Sequence, residues 1–247
     1  MASQTVSIRT DDGECDASLH IPDGNGPWPA VLMYPDAAGL RDVFRAMGER
    51  MAGLGYVTLV PNIYYRSGDF PPFDIRTLFT DPDERARLGA MVATLDRAAL
   101  TRDSDAYLSY LLARPEVTGP AVGTTGYCMG GGLSLSTAGL QPDRVAAAAS
   151  FHGGNLAPAD NPDSPHLLAP AIKAEVYVAA AADDPTFPAD QYDRLEQALT
   201  TAGVRHTLET YAAGHGFAVP DNPTYDAAAE QRHWDALAAL YSRLPRG

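Results

Sequence analysis

Val122-Gly123-Thr124-Thr125-Gly126-Tyr127-Cys128-Met129-Gly130-Gly131-Gly132-Leu133 is the stretch on which the reading of this chain turns. A short strand-like run, 121–125, meets a helix-like run, 133–140, through Gly126-Tyr127-Cys128-Met129-Gly130-Gly131. A sharp strand-to-helix turn holds the side chain at its apex exposed and strained, and glycines flank it because nothing larger clears the neighbouring backbone. That is the nucleophile-elbow pattern G-x-S-x-G with cysteine in the serine position. The turn also aims backbone N–H groups at the start of a helix, where a developing oxyanion can be held. The competing reading of the six residues alone is a Gly-rich turn around a buried, inert cysteine.

Outward from the elbow, apolar runs at 30–34, 56–60, 145–151 and 175–180 read as strands buried on both faces. Helical spacing (Phe44, Met47, Met51, Leu54) separates the first two. Helices are expected over 83–97, 103–113, 190–202 and 225–244, and a last strand over 206–211. Residues 5–10 and 14–21 read as a hairpin-like pair. In the second, Cys15, Ala17, Leu19 and Ile21 share one face, which makes Cys15 a small core residue. Strands alternating with helices imply an α/β fold, a mostly parallel twisted sheet with helices on both faces and an antiparallel N-terminal edge. Two long Pro-rich segments, 62–82 and 152–170, read as loops that wall a site.

Composition bounds the function. The 247 residues fit one domain, 1–247, better than two. A formal net charge of -13 argues against nucleic acid or an anionic membrane as partner. Two cysteines, Cys15 and Cys128, imply no disulfide framework. The start, Met1-Ala2-Ser3-Gln4-Thr5, lacks a basic and an apolar region of the secretory kind, and no apolar run approaches the roughly 20 residues of a membrane span. Cytoplasmic residence is the expectation. The histidines show no metal spacing, and no phosphate-binding glycine loop is present, so no metal or other cofactor is expected.

A thiol attacks an acyl carbon as thiolate and needs a base within reach, usually a histidine oriented by a carboxylate. Behind an elbow the chain order is nucleophile, acid, histidine, each past the C-terminal end of a strand. After the strand at 175–180 comes Ala181-Ala182-Asp183-Asp184-Pro185, and after the strand at 206–211 comes Gly214-His215-Gly216-Phe217. These place Cys128, an aspartate and His215 in that order. The loop Pro35-Asp36-Ala37-Ala38-Gly39 follows the first long buried strand and should supply the second oxyanion donor, so the N–H groups of Ala37 and Met129 are the expected pair. Asp36 is odd there, because a carboxylate beside an oxyanion hole opposes charge development; its expected role is to modulate the Cys128 thiol. The residue set Tyr64, Tyr65, Arg87, His152 and Phe217 is expected to touch substrate. Phe70, Phe73 and Phe79 either line the pocket or pack the 62–82 loop down.

With Gly126–Gly131, Asp184-Pro-Thr-Phe-Pro188, Gly214–Phe217 and Gly55–Tyr64 in view, the chain resembles the dienelactone hydrolase family of α/β-hydrolases from about Gly13 to Leu244. The resemblance selects Asp184 over Asp183 as the acid. It also implies that Asp36 stands where the family commonly has a glutamate that interacts with the resting thiol. Family members that act on dienelactone hold the substrate carboxylate with arginines, one of them shortly after the histidine. Here that segment is Phe217-Ala218-Val219-Pro220, and for the other arginine Arg76, Arg85 and Arg87 are alternatives. The half-missing clamp implies a more apolar substrate. The reaction expected is hydrolysis of a small ester or lactone through a thioester, by a monomer or small homo-oligomer. The rivals are a thioesterase or general carboxylesterase on the same triad, a non-catalytic ligand-binding member of the fold, and a thiol redox protein.

Overall fold

The structure is a computed structural model that describes residues 2–244. Met1 and 245–247, which belong to the expected domain 1–247, lie outside the described residues. Eight strands form one sheet in the order β1-β2-β4-β3-β5-β6-β7-β8. They are β1 (Ala2–Thr10), β2 (Gly13–Ile21), β3 (Ala30–Tyr34), β4 (Val57–Pro61), β5 (Val122–Tyr127), β6 (Val145–Phe151), β7 (Glu175–Ala181) and β8 (His206–Tyr211). β1 and β2 pair antiparallel, and β2 runs antiparallel to β4, while β4, β3, β5, β6, β7 and β8 are mutually parallel. The parallel sheet with an antiparallel N-terminal edge is therefore present, and this sheet order with its covering helices is the α/β-hydrolase fold.

Each parallel strand divides its side chains between two cores, because successive residues point to opposite faces. In β3, Ala30, Leu32 and Tyr34 join one cluster and Val31 and Met33 the other. The helices are α1 (Asp42–Gly53), α2 (Pro82–Val92), α3 (Arg97–Leu112), α4 (Met129–Leu140), α5 (Ala189–Thr201) and α6 (Ala227–Tyr241). Phe44, Met47 and Met51 of α1 and Trp234, Leu237 and Tyr241 of α6 cover one face. Residues of α2, α3, α4 and α5, among them Leu88, Leu108, Leu135 and Leu195, cover the other. Cys15 sits in that second core with its thiol 3.3 Å from the Tyr107 hydroxyl, and burial pushes its pKa up to about 12. It is a packed, unreactive thiol.

Near the site, the boundaries differ from the expected ones at three places. The helices expected at 83–97 and 103–113 are α2 and α3, broken instead at Ala93–Asp96. Thr94 turns its hydroxyl back to the Met91 carbonyl (2.7 Å) and Asp96 caps α3 through the Ala99 N–H (2.7 Å). A capping aspartate outweighed helical periodicity at that point. The helix α4 starts at Met129 rather than 133, so Gly130, Gly131 and Gly132 are helical. The 152–170 segment ends in a 3₁₀ stretch, Pro165–Ala171, that packs against α4.

The glycines of the elbow are there for contact. A Cβ on Gly126 would lie 1.8 Å from the Gly130 carbonyl oxygen, and one on Gly130 would lie 2.2 Å from the Pro35 oxygen. Both obstacles are backbone, which cannot rotate away. Gly126→Ala is expected to cost about 3 kcal/mol or more of stability, measured by urea unfolding, because the strand end and helix start must separate to admit the methyl group.

Candidate active site

The carboxyl ends of the parallel strands carry Ala37, Cys128, Asp184 and His215, the usual location in open α/β sheets. Cys128 follows β5 with φ 53° and ψ -121°, a left-handed backbone that costs a non-glycine residue roughly 1–3 kcal/mol and is tolerated where the surroundings over-determine it. Its N–H donates to the Phe151 carbonyl (3.1 Å) and its carbonyl accepts from Gly131 (3.0 Å), which fixes the turn from both sides. The side chain is partly exposed to the cavity above.

His215, past β8, is hydrogen-bonded through Nδ1 to Asp184 Oδ2 at 2.6 Å. Asp184, past β7, is held in turn by Thr186, whose N–H and hydroxyl donate to Oδ1 at 2.9 and 2.7 Å. Of the two adjacent aspartates, Asp184 reaches the histidine; Asp183 takes the tight turn with φ 50°. Cys128 and His215 face the same cavity, and the thiol is near enough to favour a charged His215 ring. Burial works against a charged His215, but the bond to Asp184 and the neighbouring Cys128 outweigh it and lift its pKa to about 10. Burial likewise opposes the Asp184 charge, and the bonds from His215 and Thr186 reverse that, holding its carboxyl below the usual range. The structure thus brings Cys128, His215 and Asp184 together.

Ala37 and Met129 both line the cavity beside Cys128. Met129 opens α4, so its N–H belongs to the group that has no acceptor within the helix. Around Ala37 the neighbouring N–H groups of Ala38 and Gly39 are taken by Asp36, at 2.9 Å each. The Tyr64 hydroxyl donates to the Ala37 carbonyl (2.9 Å) and pins that peptide.

Asp36 has a partner the sequence reading overlooked. Its carboxylate is buried and takes a two-pronged salt bridge from Arg41, at 2.7 and 2.9 Å. The same guanidinium makes a second pair of bonds to Asp221, at 2.7 and 2.8 Å. Among the described residues no hydrogen bond joins Asp36 to Cys128; its oxygens are turned to Arg41 and the Ala38 N–H instead of toward the thiol. Arg41 therefore ties the loop carrying Ala37 to the segment that follows His215.

A cavity of about 740 Å³ opens over Cys128 and His215. None of the five expected substrate contacts lines it. Tyr64 is spent on Ala37, as above. The Tyr65 hydroxyl pairs with Asp103 (2.7 Å) and Thr10 (2.8 Å) on the far side of its loop. Arg87 lies over the Phe73 ring (3.8 Å) and bonds to Glu84 and the Pro71 carbonyl. Phe217 is fully buried and stacked on Tyr211 (5.0 Å). His152 is buried with its ring 5.3 Å from that of His215 and 4.9 Å from that of Phe217; burial and the nearby His215 push its pKa well below the ordinary value, so it is neutral. Phe70 packs on Phe73 and on Tyr64. Only Phe79 of the loop aromatics reaches the cavity. Of the three arginines weighed, Arg76 pairs with its neighbour Asp74 in solvent.

The residues missed are Val92, Leu95, Arg97, Leu100, Leu133, Ser136 and Leu168, which make the walls. They come from the α2–α3 break, the first turn of α3, the second and third turns of α4, and the 3₁₀ stretch. The Asp96 cap was the one legible signal, since it would have moved the helix break onto the cavity rim.

An α/β-hydrolase sheet carrying a cysteine, an aspartate and a histidine in this order defines a class of hydrolases. The profile of the Dienelactone hydrolase family matches residues 15–244. A Synechocystis sp. protein provisionally named a carboxymethylenebutenolidase is 28% identical over 240 residues, covering 96% of this chain and 94% of that one. A provisionally named dienelactone hydrolase from Klebsiella pneumoniae superposes with a TM-score of 0.83 at 23% identity, covering 98% of each chain. A dienelactone hydrolase-like promiscuous phosphotriesterase from metagenomic libraries gives a TM-score of 0.77 at 29% identity, covering 99% of each. The chain belongs to the dienelactone hydrolase family, a family of hydrolases. No helix among the described residues is long and apolar enough to cross a membrane.

A histidine more basic in the folded than in the unfolded chain stabilises the fold fully below its unfolded pKa near 6.5 and ceases to as pH rises through its folded value, about 10. The stability difference between wild type and Asp184→Asn, from urea midpoints, should therefore be largest near pH 6 and shrink steadily from pH 7 to 10. Arg41→Met leaves the Asp36 carboxylate buried without its counter-charge and should cost about 3–5 kcal/mol, part of it recovered in Arg41→Met/Asp36→Asn.

Proposed function

We propose that the chain hydrolyses carboxylic esters or lactones through a thioester on Cys128. The observation that carries this reading is the partly exposed thiol at a strained elbow beside a histidine bonded at 2.6 Å to a buried aspartate. A merely structural cysteine has no use for that base.

His215 accepts the Cys128 proton, a transfer favoured by Asp184. The sulfur then attacks the carbonyl carbon while the carbonyl electron pair moves to oxygen. The N–H groups of Ala37 and Met129 hold that oxyanion. Collapse reforms the carbonyl and expels the alkoxide, which His215 protonates. Water, deprotonated by His215, attacks the thioester; the carboxylic acid leaves and the thiol regains its proton. A thiolate leaves a tetrahedral intermediate more readily than an amine-forming nitrogen, so esters and lactones are favoured over amides. Asp36 plays no direct part in these steps: paired with Arg41, it adds no uncompensated negative charge beside the oxyanion.

The Rhodococcus opacus relative named carboxymethylenebutenolidase, 25% identical over 231 residues, points to lactone opening as one activity to assay. The test is turnover of p-nitrophenyl acetate and butyrate by wild type and Cys128→Ala. Activity is expected to fall at least about 10³-fold in the variant, of the order seen when an enzyme nucleophile is removed. Wild-type activity in Cys128→Ala would sink the mechanism. A reactive thiol without turnover of any ester would favour a ligand-binding role.

A further inference from the structure

We propose that the substrate is an uncharged ester whose acyl part is a chain of medium length, laid along α4 away from Cys128. This rests on the hydrolase reading above and adds to it which substituent goes where. Three of the four positions around the carbonyl carbon are fixed by neighbours. Sulfur approaches from Cys128, and the oxygen faces the N–H groups of Ala37 and Met129. The leaving oxygen must lie beside His215, its proton donor, where Gly154 and Thr186 form the wall. The acyl chain takes the remaining side, where Leu100, Leu133 and Leu168 supply apolar wall and Ser136 lies farthest along α4.

The depth of that direction can be read from the helix. Ser136 lies on α4 two turns beyond Cys128 and still lines the cavity, so the open space extends about 12 Å along the helix axis. That length accommodates an acyl chain of about eight carbons. Gly132 presents bare backbone to the cavity, and a Cβ there would sit in ordinary contact with Pro165 at 3.6 Å and Leu156 at 3.8 Å.

Charge in the cavity argues against an acidic substrate. Arg97 is the one arginine or lysine among the described lining residues. Its charge is paired, with Nε 3.1 Å from Asp163 Oδ1, and its Nη2 is bonded to the Pro162 carbonyl at 2.7 Å. Asp96 stands next to it, on the same wall. A substrate carboxylate entering here would meet the carboxylates of Asp96 and Asp163 and a guanidinium whose charge Asp163 already offsets. A hydrocarbon chain meets Leu100, Leu133 and Leu168, and each methylene moved from water onto such a wall is worth up to about fourfold in binding.

The experiment is kcat/KM of wild type for p-nitrophenyl acetate, butyrate, hexanoate and octanoate, with the mono-p-nitrophenyl ester of adipic acid as the charged counterpart of hexanoate. Octanoate is expected at least about tenfold above acetate, and the adipate monoester at least about tenfold below hexanoate. Ser136→Phe, which fills the far end, should lower the octanoate-to-acetate ratio by about tenfold. A flat or falling chain-length profile, or preference for the adipate monoester, overturns the proposal, and the wild-type profile decides this even if the variant does not fold. The two readings fail differently. Cys128-dependent turnover with a flat profile removes only the acyl-chain assignment, whereas turnover that survives Cys128→Ala removes the mechanism beneath it.

Discussion

The close approach of two backbones, at the end of β5 and the start of α4, is the constraint on which the rest of the structure depends. Gly126 and Gly130 let the strand end, the helix start and the Pro35 carbonyl come together with no side chain between them. Cys128 is forced into a left-handed conformation by that contact, and the hydrogen bonds from its backbone to Phe151 and Gly131 keep it there. A thiol in such a turn projects above the sheet rather than into a core. The other thiol in the chain, Cys15, shows the alternative: placed mid-strand, it is buried and raised in pKa. Backbone geometry, more than residue type, separates the two.

Around the elbow, order is imposed by electrostatic pairs that bridge distant segments. Thr186, Asp184 and His215 form one chain of hydrogen bonds directed at Cys128. Arg41, shared between Asp36 and Asp221, forms a second that binds the Ala37 loop to the His215 segment. A carboxylate beside an oxyanion hole would oppose the reaction if it stood alone. Its pairing with a guanidinium makes it a structural element instead, and Ala38 and Gly39 are shaped around it. The neutral, buried His152 packs edge-on against His215 and fills space without competing for its proton.

Much of this was legible from local chemistry. The strand order along the chain, the antiparallel N-terminal edge, the elbow at Cys128, and the aspartate and histidine at the ends of later strands all follow from patterns spanning a few residues. Asp184 was separable from Asp183 only by resemblance to a family, and the structure gives the physical reason: Asp183 is used up in making the turn. Aromatic residues near a site misled the reading of Tyr64, Tyr65 and Phe217, because a large apolar side chain gives the same signal whether it lines a cavity or packs beneath it. Arg87 misled it too, since a charged side chain in the right region can be spent on its own helix neighbour.

What the sequence determined is what short-range constraints dictate: which segments pair into a sheet, where glycine is obligatory, and in what order the reactive side chains appear. What only the tertiary structure decided is which far-separated groups meet. Arg41 and Asp221 are 180 positions apart, and the cavity walls come from the α2–α3 break, α4 and the 3₁₀ stretch after residue 164. No periodicity encodes such meetings. They are set by how the helices pack on the two faces of the sheet, where small differences in helix ends, such as the Asp96 cap, choose which side chains face the thiol.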